Sequence, residues 1–392
     1  MKNDYTGIFE YLDWRGDLSF EDAPLNPVDL SVMCQLTYLN LDGLLDDDFK
    51  KSVSISELHS LFISSSNYAE RCEMGVMINP KNPELLERCA VTSRFADLQV
   101  TGYKSIFEDK KDIQFAALTF KINKKLNVIV FRGTDDSIAG WKEDFDLCYK
   151  EEIPSQTLAV EYENKAFSSL KGEFILSGHS KGGNIVLYAA VKCPAKNQNK
   201  IKAVYDFDGP GFSKDFYETE AFKKVEKKLT IIYPEFDIVG MLFHHPEGYK
   251  IIKSEQQGAL QHDMMSWKVC GADFIYGSDF TNESKVFGEA MNGWVDNLSL
   301  EDRSRFVNTL FGIIRSTGAV FNRDFEKNML PYSAKMLGEF VKLDGDTRDN
   351  LKKVISILVK AFRDALPMFN SFNLTKGIPH LSSGSKGKSK QN

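Results

Sequence analysis

The sequence predicts an α/β fold with a mainly parallel central sheet, flanked by helical segments at both ends of the chain. Between residues 91 and 285, short apolar runs alternate with helical patterns, as in proteins built on a parallel sheet. Residues 1–90 and 286–380 instead repeat apolar side chains at helical spacing. With 392 residues, the chain can bury a large core and exceeds the usual size of one compact domain.

The elements follow in order along the chain. Pro27 opens a helix in the N-terminal segment, residues 1–90. In the C-terminal region, residues 286–380, Ser299 and Asp302 resemble a capping box, and a later helix has an apolar face from Leu351 to Leu366. Residues 381–392 are expected to form a flexible basic tail. Strands of the core, residues 91–285, are predicted at 115–122, 126–131, 173–177, 202–207, 229–233 and 249–253.

Composition and charge argue against several classes of protein. The net charge is −6 and no domain is basic, which argues against binding to nucleic acid. The N-terminus lacks the pattern of a secretory signal, and no apolar run approaches the length of about 18 residues that spans a membrane, so we expect a cytoplasmic protein. The six cysteines are scattered without a Cys-x-x-Cys pair, which argues against structural zinc or a disulfide framework.

The most informative segment is Gly-His-Ser-Lys-Gly-Gly at residues 178–183, between an apolar strand and a helical pattern. This is the context of a nucleophile elbow, in which a sharp turn exposes a serine hydroxyl beside the first N–H groups of a helix. We therefore predict Ser180 as a nucleophile and the backbone N–H of Lys181 as an oxyanion donor. The alternative is a glycine-rich packing turn, but such a turn does not require the serine.

A serine nucleophile needs a base, most often a histidine. We predict His262, because a strand-like segment separates it from the preceding acid candidates. His245 is the second choice, since it and His244 follow Asp237 too closely to leave room for an acid loop. His380 is a weak candidate beyond the C-terminal helices.

The carboxylate that orients the histidine is predicted at Asp237, which follows the strand at 229–233 through a short turn. Asp206 and Asp208 are the rivals, since they end the preceding strand. For Asp208, we favour the interpretation that its carboxylate caps the turn before Gly-Pro-Gly.

A second oxyanion donor is expected after an earlier strand. Arg132, Gly133 and Thr134 end the strand at 126–131. The backbone N–H of Thr134, and its hydroxyl as an alternative, are predicted to face the developing oxyanion.

Four motifs in this order resemble the fungal-type (class 3) lipases of the α/β-hydrolase fold. Phe131 to Thr134, with Trp141 and Asp144, is similar to the oxyanion loop of that family, and the elbow at Ser180 is similar to its nucleophile turn. The segment that begins at Asp237 is similar to its acid loop. His262, a few residues before Trp267, is similar to its catalytic histidine. The resemblance covers roughly residues 90–275.

The whole chain resembles still more an uncharacterised bacterial lipase-like family of the α/β-hydrolase superfamily. That family opens with a motif like residues 11–20, has lysine and asparagine in the elbow as at Lys181 and Asn184, and has a loop like residues 208–212. Lys181 stands where lipases usually have leucine. A charge at the elbow favours an esterase over a lipase that hydrolyses bulk triglyceride.

Together these features predict a cytoplasmic serine acyl-ester hydrolase with the triad Ser180, Asp237 and His262, which needs no metal or organic cofactor. A small acyl ester or lipid is the expected substrate. A thioesterase or peptidase on the same triad, and a non-catalytic binding module, are the alternatives. Peripheral contact with a membrane through the C-terminal helices is the alternative to their packing on the core.

Overall fold

The computed structural model describes residues 6–365, so the predicted tail and His380 lie outside the described residues. The strands are β1 Val53–Ser54, β2 Gln99–Glu108, β3 Ile113–Asn123, β4 Leu126–Phe131, β5 Glu173–His179, β6 Ile201–Phe207, β7 Leu229–Pro234, β8 Lys250–Ile252, β9 Val269–Cys270 and β10 Asp273–Phe274. The helices before β5 are α1 Ile8–Arg15, α2 Pro27–Leu36, α3 Ile55–Ser64, α4 Tyr68–Arg71, α5 Asn82–Ala90, α6 Ile138–Asp146 and α7 Pro154–Ser169. Those after β5 are α8 Lys181–Lys192, α9 Ala195–Gln198, α10 Lys214–Glu218, α11 Glu220–Glu226, α12 Asn282–Asp296, α13 Leu300–Arg315, α14 Arg323–Lys342 and α15 Gly345–Ala365.

The central sheet has eight strands in the order in which they occur along the chain. The strands β1 to β4 pair antiparallel, and β4 to β8 pair parallel. The predicted α/β class and mainly parallel sheet are therefore confirmed. The carboxyl ends of β4 to β8 meet at one edge, which is where ligand sites of open α/β sheets form.

Helices cover both faces of the sheet. The helix α2 is buried from Val28 to Leu36, and its side chains pack with Val130, Ile175 and Phe207 of the sheet in one apolar cluster. Asn26 caps α2 by accepting the Val28 and Asp29 N–H groups, and Pro27 occupies the first turn as predicted. The helices α7, α8 and α11 pack in a second cluster on the opposite face.

The C-terminal helices form a third apolar cluster at the edge that carries the functional loops. Trp294, Phe306 and Leu351 from α12, α13 and α15 pack there with Phe145 of α6. Leu351 and Val354 of the predicted apolar face of α15 are buried against protein, whereas Ile355 is exposed. The remainder of that predicted face, from residue 357, lies outside the described side chains. Ser299 caps α13 as predicted, and its hydroxyl accepts the Asp302 N–H.

No helix within residues 6–365 is both long and apolar enough to cross a membrane.

Candidate active site

Ser180 lies at the turn between β5 and α8 with φ +60° and ψ −130°. This conformation with positive φ is strained for a residue with a side chain, and it is typical of functional turns. A Cβ atom at Gly178 would lie 2.0 Å from the Gly182 carbonyl oxygen, and one at Gly182 would lie 2.2 Å from the Phe131 carbonyl oxygen. Glycine is therefore required at both positions for the turn to close, as the sequence predicts.

The loop after β4 lies directly beside the nucleophile turn. A Cβ atom at Gly133 would come within 2.5 Å of the His179 carbonyl oxygen and 3.0 Å of the Ser180 Cβ. The adjacent Thr134 donates its hydroxyl hydrogen to Asp144 Oδ2 at 2.5 Å. Because that hydrogen is committed to Asp144, the backbone N–H is the group that Thr134 has left to offer an oxyanion. The alternative of a hydroxyl donor is disfavoured.

Lys181 begins α8, where the first N–H groups of a helix have no acceptor within the helix. Its side chain is fully buried, and Nζ donates to Glu143 Oε2 at 2.8 Å and to Gln114 Oε1 at 2.8 Å. Glu143 also accepts the Ser155 N–H and hydroxyl. The charge of Lys181 is thus neutralised inside the protein. This corrects our expectation that it bears on the choice of substrate at the elbow.

His262 ends a 3-10 turn, Gly258–His262, that follows β8. Its Nδ1 lies 2.6 Å from Asp208 Oδ2. The structure thus corrects the prediction for the carboxylate in contact with the imidazole, which is Asp208 rather than Asp237. The backbone explains the difference, since Asp208 has φ +56° just beyond β6. The carboxylate that caps the Gly-Pro-Gly turn is that of Asp206, which accepts the Gly209 N–H at 2.9 Å.

Asp237, which follows β7, is 2% exposed. The carboxyl groups of Asp208 and Asp237 lie close enough to interact with each other. Asp237 Oδ1 accepts the Gly240 N–H at 2.8 Å, and its backbone is bonded to the Ser284 hydroxyl at the start of α12. Burial raises the pKa of Asp237 well above its usual range, and the charge of Asp208 adds to this effect.

The His262 turn is anchored by residues that our sequence reasoning did not identify. His179 Nε2 lies 2.9 Å from the His262 carbonyl oxygen, and His179 Nδ1 lies 2.9 Å from the Tyr38 hydroxyl. The carbonyl only accepts, so Nε2 carries the proton and Nδ1 accepts from Tyr38. Burial holds the pKa of His179 well below its usual value, which keeps it neutral. His179 stands next to Ser180 in sequence, whereas no pattern points to Tyr38.

Trp267, noted in the sequence for its spacing from His262, is fully buried and donates its indole N–H to the Gln261 carbonyl oxygen at 2.8 Å. This bond fixes the chain immediately before His262. Burial lowers the pKa of His262 from its usual value.

Ser180 and His262 lie at the same edge of the sheet, and both side chains are partly exposed. Among the described residues, the Ser180 hydroxyl makes no hydrogen bond with His262. Catalytic hydrogen bonds are often long in proteins without ligand, and they shorten when substrate binds. Within residues 6–365, no group of His, Cys, Asp and Glu side chains is arranged to hold a metal ion.

A solved structure described as the crystal structure of M37 lipase is 15% identical, with a TM-score of 0.33, and the match covers 55% of this chain and 69% of that one. No curated protein matches the chain. The model of the Mbeg1-like family matches residues 89–312, which is more than half of the chain and includes Ser180, Asp208 and His262. The chain belongs to the Mbeg1-like family, a lipase-like family.

Proposed function

We propose that this protein is a serine hydrolase of carboxylic esters. Ser180 attacks the ester carbonyl while His262 Nε2 takes the hydroxyl proton, and Asp208 holds Nδ1–H and stabilises the imidazolium. The N–H groups of Lys181 and Thr134 stabilise the oxyanion. His262 then gives its proton to the leaving alcohol, and water releases the acyl group by the same steps in reverse.

One observation carries this proposal. The Ser180 turn has the strained backbone of a nucleophile elbow, and a His262–Asp208 pair with a 2.6 Å contact follows it at the same edge of the sheet. A glycine-rich turn that served only to pack a helix would need neither the positive φ at Ser180 nor a buried carboxylate on His262. Membership of a lipase-like family supports the same reaction class.

Labelling by a fluorophosphonate probe and turnover of p-nitrophenyl esters test the proposal. We expect the native protein to react and Ser180→Ala to lose both activities, with a fall in kcat/KM of at least about 10³-fold. Ser177→Ala serves as the control, because Ser177 is a buried serine of β5 three residues earlier. Equal labelling of the native protein and Ser180→Ala would contradict the assignment.

A substrate panel separates esters from other acyl groups on the same machinery. Faster turnover of acyl thioesters or peptides than of p-nitrophenyl esters would assign the protein to one of those classes. An absence of both labelling and turnover would favour a binding module.

We also propose that the protein contacts lipid surfaces through α14. The exposed side of this helix carries Met329, Leu330, Leu337 and Val341, whose exposed fractions are 58–84%. Lys327 is exposed on the same helix and favours an anionic surface, whereas Lys335 donates to the Thr317 carbonyl oxygen and Lys342 pairs with Glu339.

Flotation with anionic vesicles tests this contact. A double variant Leu330→Gln and Leu337→Gln should float less than the native protein. Leu300→Gln is the control, since Leu300 is equally exposed on α13. Equal flotation of all three proteins would refute a role for α14.

A further inference from the structure

We propose that Asp208 and Asp237 share one proton as a buried acid–carboxylate pair, in which Asp208 is ionised and Asp237 is a neutral hydrogen-bond donor. Asp237 is then a positioning residue that acts on His262 through Asp208. This inference rests on the proposed function, because it assigns the groups that support the base of the same site.

Two buried oxygen atoms point to the shared proton. Asp208 Oδ1 and Asp237 Oδ2 are both buried and have no hydrogen-bond donor among the described residues. Their carboxyl groups are nevertheless in contact with each other. Two ionised carboxylates cannot bond, whereas one proton between these atoms satisfies both at once. A buried polar atom without a partner costs about 1–3 kcal/mol, so the protonated arrangement is favoured.

The partners of each group decide which one is ionised. Asp208 Oδ2 faces His262 Nδ1 at 2.6 Å, which leaves the buried Oδ1 as the oxygen available to Asp237. As a carboxylate, Asp208 would therefore accept two strong donors. Asp237 as a carboxylate would keep the Gly240 N–H and would leave Asp208 to supply the other donor. Each carboxylate would thus accept two donors, but only Asp208 is paired with a basic side chain, His262, so the negative charge belongs on Asp208.

The surrounding groups oppose a second negative charge. Asp208 and Asp237 are 0% and 2% exposed, and the nearby Asp206 is 3% exposed. Tyr233 is a further buried acidic group, and it interacts with all three carboxyl groups. Within the described part of the chain, His262 is the one basic side chain that pairs with Asp208 or Asp237. Two buried like charges in contact cannot both persist at neutral pH, as in other carboxyl pairs.

The proposal assigns opposite roles to two aspartates of the same chemistry. An asparagine amide can replace the protonated acid of Asp237, because it donates from the same position. It cannot replace the charge of Asp208, and it turns an acceptor into a donor that favours the wrong tautomer of His262.

Kinetics of D208N, D237N and D237A test this difference. We expect D208N to lower kcat/KM by at least about 10³-fold, as for the orienting carboxylate of other triads. D237N should stay within about 5-fold of the native enzyme, and D237A should fall between the two because it leaves Asp208 without a donor. Rescue by asparagine but not by alanine separates a donor from a charge.

Infrared difference spectroscopy gives a readout independent of activity. At about pH 8, the native protein minus D237N should show the carbonyl band of a protonated carboxylic acid. Taking the difference removes the contribution of Asp206 and of other buried acids. Equal loss of activity in D237N and D208N, absence of that band, or failure of D237N to fold would each overturn the proposal. If Ser180→Ala retains activity, the proposed function fails while the infrared result still decides whether the pair shares a proton.

Discussion

The Tyr38 hydroxyl lies 2.9 Å from His179 Nδ1, although 141 residues separate the two in the chain. Tyr38 also contacts the backbone of Gly133 in the oxyanion loop. One buried hydroxyl from the N-terminal segment thus joins the loop after β4 to His179, the residue before Ser180. Through the bond from His179 to the His262 carbonyl oxygen, it also supports His262.

Tyr38→Phe should therefore slow the reaction as well as destabilise the protein. The change leaves a buried ring nitrogen of His179 without a donor, which costs about 1–3 kcal/mol in the free energy of unfolding. We expect kcat/KM to fall about 10-fold, which corresponds to about 1.4 kcal/mol in the barrier. Denaturant unfolding and ester kinetics measure the two effects. Tyr162→Phe is the control, because it removes a buried hydroxyl bonded to Thr119 on the other face of the sheet. Equal rate effects in both variants would exclude a positioning role for Tyr38.

Thr134→Val should lower kcat more than it changes KM. Valine keeps the shape and the backbone N–H but removes the hydrogen bond to Asp144, which orients the oxyanion loop. We expect a loss of about 10-fold in kcat, less than that for deletion of an oxyanion donor itself, which is about 10²–10³-fold. Thr134→Ser keeps the hydroxyl and should remain close to the native rate. The prediction fails if serine and valine variants have the same kcat.

Lys181 and Glu143 should show strong energetic coupling. Removal of either partner of a buried ion pair costs about 3–5 kcal/mol, because the other charge is left unpaired. We therefore expect Lys181→Met and Glu143→Gln to be strongly destabilising and the double variant to cost clearly less than their sum. A double-mutant cycle from urea unfolding measures the difference. The exposed pair Lys223–Glu220 is the control and should show coupling below about 1 kcal/mol. Additive effects at Lys181 and Glu143 would contradict the prediction.

Glu163 should make stability depend on pH. It is 1% exposed on α7, and burial raises its pKa to about 8. Between about pH 4.3, its usual pKa, and pH 8, the folded protein keeps a proton that the unfolded chain releases. Stability from this group is therefore fully present at low pH and is lost as pH rises through that window.

Glu163→Gln carries no such proton, so its free energy of unfolding relative to the native protein should rise by about 3–4 kcal/mol between about pH 5 and pH 8. Urea unfolding at both pH values measures the change. Glu161→Gln, an exposed position on the same helix, is the control and should show no such trend. The same free-energy difference at both pH values would show that Glu163 is ionised in the folded protein.

Much of the fold could be predicted because its signals are local. The strand β4 has the predicted bounds, residues 126–131, and β6 and β7 differ from their predicted bounds by one residue each. The first strand of the β2–β3 hairpin was missed, since its polar and apolar residues alternate weakly. Its burial depends on contacts with Phe49 and the N-terminal segment.

The sequence by itself determined the sharp turn at Ser180, because the strand, the glycines and the helix that form this turn are contiguous in the chain. It also brought Asp208, Asp237 and His262 to one edge, since each follows a parallel strand. The tertiary structure decided which carboxylate meets His262. That choice depends on the left-handed backbone of Asp208 and on the packing of neighbouring strands, which lie outside any local pattern. It also decided that Lys181 turns inward to Glu143, because the partner of a buried charge is fixed by folding rather than by spacing in the chain.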